Sequence, residues 1–106
     1  TSKQPLLQAA AVIARDHHEW WNGQGYPNQI SGENIHIYGR IVAIADVFDA
    51  LSFERVYKPA WEDDKIYAFF EQQLGQQFDP TLARLFLNHF GDFVSLRNQH
   101  LGNKVV

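Results

Sequence analysis

The chain has 106 residues, 45% of them apolar and 14% aromatic, enough to fill one hydrophobic core and no more than one domain. Its net charge of -3 argues against a nucleic-acid polymer as partner, because phosphate backbones select strongly basic faces. Cysteine is absent, which excludes disulfides, thiolate catalysis and zinc–sulfur sites and fits a reducing cytoplasm, and no apolar run approaches the ~20 residues of a membrane span. Methionine is absent as well, including at position 1, so the chain is expected to start partway into a longer protein.

Apolar residues recur at helical spacing in four places, and no sustained strand alternation is present. The fold class expected is therefore all-α, with about four main helices. Leu6, Leu7, Ala10, Ile13 and Ala14 make the first face and lead into His17. A long loop follows from about Glu19 to Asn34, where Gly23, Gly25 and Pro27 mark a fixed backbone of the kind that serves function. Ile37, Ile41, Ile44, Phe48 and Leu51 step by four and three along a second helix, with His36 near its start. Pro59 precedes a third, which carries Glu62, Asp63 and Asp64 where acids suit the helix dipole, the stripe Ile66, Phe69, Phe70 and Leu74, and Gly75 as its C′ residue. Asp79 and Pro80 read as N-cap and N1 of a fourth helix with the stripe Leu82, Leu85, Phe86, His89, Phe90 and Phe93. On that stripe His89 reads as a packed core histidine, and neither His36, His89 nor His100 joins a ligand cluster by spacing.

Three groups of residues carry candidate chemistry. His17 and His18 are neighbours, and neighbours on a helix point about 100° apart. At a helix end that constraint relaxes, and the two imidazoles can hold two metals side by side; the plainer alternative is one packed ring and one solvated ring. Asp46 and Asp49 stand three apart in a stretch that otherwise reads as buried helix. A carboxylate there has to meet a metal, a cation or a hydrogen-bond donor, and Arg40 and Arg55 are the available cations. Arg55 and Lys58 lie three apart in a loop and form a plausible clamp for phosphate oxygens, or an ordinary solvated loop. A metal site facing a phosphate-binding loop points to phosphoester hydrolysis.

The runs His17-His18-Glu19, Asn22-Gly23-Gln24-Gly25-Tyr26-Pro27, Arg40-Ile41, Ala45-Asp46-Val47-Phe48-Asp49-Ala50-Leu51, Arg55, Tyr57-Lys58 and Gly75-Gln76-Gln77-Phe78-Asp79-Pro80 occur in that order. Together they resemble the HD-GYP domain, the branch of the HD metal-dependent phosphohydrolases that degrades cyclic di-GMP. The resemblance implies that His17, His18 and Asp46 bind metal, that Tyr26 borders the substrate pocket, and that Arg55 and Lys58 hold substrate phosphate. Glu19, Asp49, Phe78 and Asp79 match signature positions with supporting roles. It also implies divalent cofactors, iron or manganese in preference and two or three in a complete domain, with a metal-bound hydroxide opening cyclic di-GMP to pGpG or on to GMP.

Two departures stand out. Asn22 replaces the family's usual aspartate, and the His-Asp pair that names the superfamily is missing. Residues 1–106 therefore resemble the C-terminal part of a single such domain. Such a part is expected to bind metal weakly, to turn over little substrate, and to associate with itself through uncovered apolar surface. Two alternatives stay open: a degenerate module that binds a nucleotide or a protein without cleavage, and a phosphohydrolase acting on another nucleotide.

Overall fold

The structure, a computed structural model, describes residues 4–105, with side chains described from residue 5 to residue 99. The His100 side chain falls outside that range. Among the described residues there are five α-helices and no strand: α1 (Gln4–Asp16), α2 (Ile37–Ser52), α3 (Asp63–Gln72), α4 (Pro80–Asn88) and α5 (Phe90–Val105). A single 3-10 turn, Gly32–Asn34, punctuates the long α1–α2 loop. No described helix is long and apolar enough to cross a membrane.

The all-α expectation holds, and the fourth apolar stripe divides into two helices. The helical path breaks at His89, whose φ of -115° and ψ of 21° end α4. A residue that leaves helical geometry is carried off the face that periodicity assigns to it. His89 is accordingly not a core histidine: its side chain is 57% exposed and lies 3.5 Å from Asp92. Helix α4 opens as expected, with Asp79 Oδ1 accepting the N–H groups of Thr81 at 2.8 Å and Leu82 at 3.3 Å, and Pro80 next in line. Helix α3 closes on Gln73, so Gly75 is not its C′ residue; its N–H donates to Phe78 O at 2.9 Å in the turn that follows.

The core lies among α2, α3 and α4. Ile44, Ile66, Phe70, Phe78, Ala83, Phe86 and Leu87 are buried together, with Phe48, Tyr67 and Phe90 packed against them. Phe70 stacks on Phe78 at 4.8 Å, and Phe48 meets Phe86 edge-on at 5.4 Å. Helix α5 is tied on by Arg97, which donates to both carboxylate oxygens of Asp63 at 2.8 and 3.1 Å and to Ser52 Oγ at 3.2 Å.

Helix α1 packs on α2 with a different face from the one its apolar spacing marks. Its covered side is Ala9, Val12, Ile13 and Asp16, at i, i+3, i+4 and i+7, while Leu6 and Leu7 stay 72% and 66% exposed. The contact is drawn by Gly39 on α2. A Cβ there would sit 2.6 Å from Asp16 Cβ, so only glycine admits the end of α1 this closely.

Candidate functional site

Helix α1 stops at Asp16, and the next two residues turn, so His17 and His18 leave the helix together. Their ring centroids are 3.8 Å apart, and both line a cleft of about 310 Å³ walled on the other side by α2. Asp46 lines the same cleft, with Ala43, Val47, Ala50 and Leu51 from adjoining turns. Glu19, Trp20 and Tyr26 from the long loop and Gln77 from the α3–α4 connection complete it.

The protonation of one histidine can be read from its partner. His17 Nδ1 lies 2.7 Å from the carbonyl oxygen of Ile13. A carbonyl only accepts, so in the neutral ring Nδ1 carries the proton and Nε2 keeps its lone pair, the form that ligates a metal. The Tyr26 ring stacks on His18 with centroids 4.8 Å apart and planes 17° apart, and the residue is 60% exposed. Asp46 opens into the cleft, and among the described residues no hydrogen bond or ion pair engages its carboxylate.

The loop that brings Tyr26 over the histidines is held from several sides. Glu19 is 2% exposed, and its two carboxylate oxygens accept the N–H groups of Asn28 at 2.7 Å and Ile30 at 3.1 Å. The N–H of Tyr26 donates to His18 O at 3.1 Å, and the Tyr26–Pro27 peptide is cis. Gly25 is buried where a Cβ would collide with Trp20 N and His18 O, so the loop can settle on the histidine turn only with glycine there. Trp21 and Asn22 donate their N–H groups to Gln77 O at 3.1 Å and Gln76 O at 2.9 Å, joining this loop to the α3–α4 connection. The Asn22 side chain accepts from Gln24 N at 3.0 Å and donates to Gln76 Oε1 at 3.4 Å; a carboxylate could not make the second of these bonds.

Two buried acids brace the same region. Asp16 is fully buried and accepts the N–H of His36 at 2.8 Å. The Arg15 guanidinium hydrogen-bonded to it holds its carboxyl below the usual carboxylate range, against the opposing effect of burial, and the His36 N–H adds to the lowering. The same bond raises Arg15 in turn. Asp79 pairs with Arg40 at 2.6 Å, while Arg40 also donates to Ile35 O at 2.9 Å and lies 5.9 Å from the Trp21 ring.

Other residues singled out from the sequence lie elsewhere. Asp49 lines a second and larger hollow, about 740 Å³, between α2, α4 and α5, and sits 3.9 Å from Arg55. Asp46 and Asp49 thus face different hollows. Both are exposed, which corrects the reading of their stretch as buried helix: each carboxylate opens into a hollow rather than against a packed neighbour. Arg55 and Lys58 are not among the cleft's lining residues. They pair with each other through their backbones at 2.7 and 3.0 Å, leaving Val56 and Tyr57 exposed at the tip of a tight turn, and Lys58 Nζ donates to Pro59 O at 2.9 Å. Among the described residues no three His, Asp or Glu side chains are drawn together as one metal-holding group.

Sequence reasoning passed over Asp16 and Gly39, and it quoted Gln77 in a motif without placing it at the cleft. Asp16 had a signal, as a charged residue four beyond Val12 and three beyond Ile13 on the covered face. Gly39 had another, since a helix-interior glycine costs roughly 1 kcal/mol and usually has a packing reason. Nothing local signalled that position for Gln77, because the loop pairing that sets it spans more than fifty residues.

Comparison with known proteins agrees with this geometry. A family model described as "HD domain" matches residues 1–82. A 3′3′-cGAMP-specific phosphodiesterase of Vibrio cholerae is 49% identical over 96 residues, covering 91% of this chain and 18% of its own length. The cyclic di-GMP phosphodiesterase response regulator RpfG of Xanthomonas campestris is 48% identical over 79 residues, 74% of this chain and 21% of that protein. A cyclic di-GMP phosphodiesterase of Thermotoga maritima is 40% identical over 86 residues, 81% of this chain and 23% of its own. The crystal structure of a cyclic GMP-AMP-specific phosphodiesterase from V. cholerae superposes with a TM-score of 0.65 at 29% identity, over 80% of this chain and 19% of that one. The chain thus spans about a fifth of the length of these relatives.

Proposed function

The chain belongs to the HD domain family, and from that premise we propose that the whole protein is a metal-dependent phosphodiesterase that hydrolyses a phosphodiester bond of cyclic di-GMP. One observation carries this reading: both imidazoles of the His17–His18 pair, the Asp46 carboxylate and the Tyr26 ring line one cleft.

The donor set suits divalent metal ions of the iron and manganese kind, two nitrogens and a carboxylate oxygen, with the His17 proton on the nitrogen away from the ligating one. His17, His18 and Asp46 would hold such ions, two or three of them in a complete site of the kind the resemblance implies. When bound, ions in such sites polarise the phosphoryl group and lower the pKa of water. Tyr26 offers an exposed aromatic face beside His18 against which a nucleobase can stack. Arg55 and Lys58 supply positive charge from the turn that follows Ala50 and Leu51 of the cleft wall, and reach substrate phosphate by swinging from their present partners. Glu19 and Asn22 keep the loop on the histidines, and Asp49 restrains Arg55. For the chain by itself, metal binding is weak and turnover negligible.

A second substrate, 3′3′-cGAMP, is favoured by the 49% identity to a cGAMP-specific relative. Both substrates present the same bond. The test is elemental analysis of the purified whole protein, wild type beside His18→Ala and Asp46→Ala, followed by its hydrolysis of each dinucleotide. Metal lost in both variants, with cleavage abolished by chelation, is the expected result. Cleavage that survives chelation and His18→Ala refutes it. Tight nucleotide binding without cleavage supports a binding module instead.

A further inference from the structure

Asp16 precedes the histidine pair, yet nothing in the chemistry above uses it. Its side chain is fully buried, its carboxylate accepts the N–H of His36 at 2.8 Å just ahead of α2, and its backbone carbonyl accepts the N–H of Glu19 at 3.0 Å. Its Cβ and main chain lie against Gly39, in the first turn of α2, so closely that a Cβ on that glycine would be 2.6 Å from Asp16 Cβ and 3.1 Å from its carbonyl carbon. Gly39 begins a line along α2 that continues through Ala43, Asp46 and Ala50, at i+4, i+7 and i+11. The last three all line the histidine cleft. The contact at Gly39 and the bond to His36 therefore fix how far along α2 the end of α1 sits.

We propose that Asp16 is a positioning residue, whose clamp on His36 and Gly39 sets the register at which His17 and His18 face Asp46 and thereby the affinity of this cleft for divalent metal. The proposal rests on the metal-site reading above. Helices in contact settle into discrete packings, and a slip along α2 moves the histidines from one turn to the next, about 5.4 Å. Ala43 and Ala50 offer little on their own line to arrest such a slip, so the close contact at the end of α1, where Asp16 is, arrests it.

The test uses cobalt(II) as probe, because its visible absorption reports ligand geometry, together with proton NMR of the metal-free chain. In wild type, the β-protons of residue 16 should show NOEs to the α-protons of residue 39. Asp16→Ala should lose these NOEs, bind cobalt(II) about 10- to 100-fold more weakly, and shift the visible bands. Asp16→Asn, which keeps an oxygen for the His36 N–H, should recover the NOEs and most of the affinity. If Asp16→Ala does not fold, Gly39→Ala, which pushes the same contact apart with Asp16 in place, should give the same loss. Wild-type NOEs, affinity and spectrum in Asp16→Ala or Gly39→Ala overturn the proposal while the metal site stands. A wild-type chain that binds no cobalt(II), or a His18→Ala chain that binds it as well as wild type, overturns the metal reading and the role of Asp16 with it.

Discussion

Arg40→Met should be strongly destabilising, and its cost can be built from the contacts it removes. Asp79 is 5% exposed and keeps only its two cap bonds, to Thr81 and Leu82, once the 2.6 Å bond from Arg40 is gone. Breaking a buried pair from one side typically costs about 3–5 kcal/mol, because the remaining charge is stranded. The cap bonds keep part of the carboxylate satisfied, which favours the lower end. The lost bond to Ile35 O adds roughly 1 kcal/mol, and the weakened contact with Trp21 about 0.5. The methionine retains most of the apolar stem. A net loss of about 4 kcal/mol lowers the melting temperature of a domain this size by roughly 16–32 °C, read by circular dichroism. The decisive comparison is Arg40→Met/Asp79→Asn. Asparagine caps a helix about as well as aspartate and carries no charge, so the double variant should be more stable than Arg40→Met alone, by about 1–2 kcal/mol in urea titrations. A double variant destabilised by the sum of the two single losses would refute the stranded-charge argument.

Other consequences follow from the loop and from Asp16. Glu19→Ala leaves the Asn28 and Ile30 N–H groups without their acceptors, and these should turn to water by loop opening at a global cost of about 1–3 kcal/mol. Hydrogen exchange at those two amides should accelerate at least tenfold, and unchanged protection would show that Glu19 does not hold the loop. Gly25→Ala places a methyl group against Trp20 N and His18 O, so the loop should lift and the ring-current shift of Tyr26 on the His18 protons should vanish, at a cost of about 1–3 kcal/mol. An alanine variant with wild-type histidine shifts would contradict the close approach. Because the Asp16 carboxyl is held below its unfolded value of about 4, the stability it contributes is present above that value and is lost as pH falls through the lower folded value. In the metal-free chain, wild type should therefore lose stability more steeply than Asp16→Asn below about pH 4, and parallel curves would exclude that linkage.

What the sequence discloses about this chain is what it encodes locally. The Asp79-Pro80 start of α4, the acids opening α3 and the helix over 37–51 are each set within a few residues and appear in the structure where they were expected, although Ile37 and Ile41 of that helix stay exposed. Features that depend on distant partners were not legible. The pairing of Arg40 with Asp79 spans 39 positions, and the bond from Asp16 to His36 spans 20. Helix α1 shows the difference within one element: hydropathy marks Leu6 and Leu7, but α2 offers a glycine opposite Asp16, and close approach at that point decides which face is covered.

The two acids of α2 make the same point for the site. Asp46 and Asp49 differ by three residues, about 60° around the helix, so periodicity alone puts them on one stripe. Their neighbours one turn away separate them. Asp46 stands between Ala43 and Ala50, at i-3 and i+4, where short side chains leave room for a cleft and the histidine turn can come opposite. Asp49 stands between Ala45 and Phe53, both of which line the larger hollow with it, and its nearest cation is Arg55 rather than an imidazole. The sequence therefore did hold a signal for which acid meets the histidines. It lay in the size of the residues one turn above and below each carboxylate, because what stands beside a side chain on a helix sets what can come opposite it.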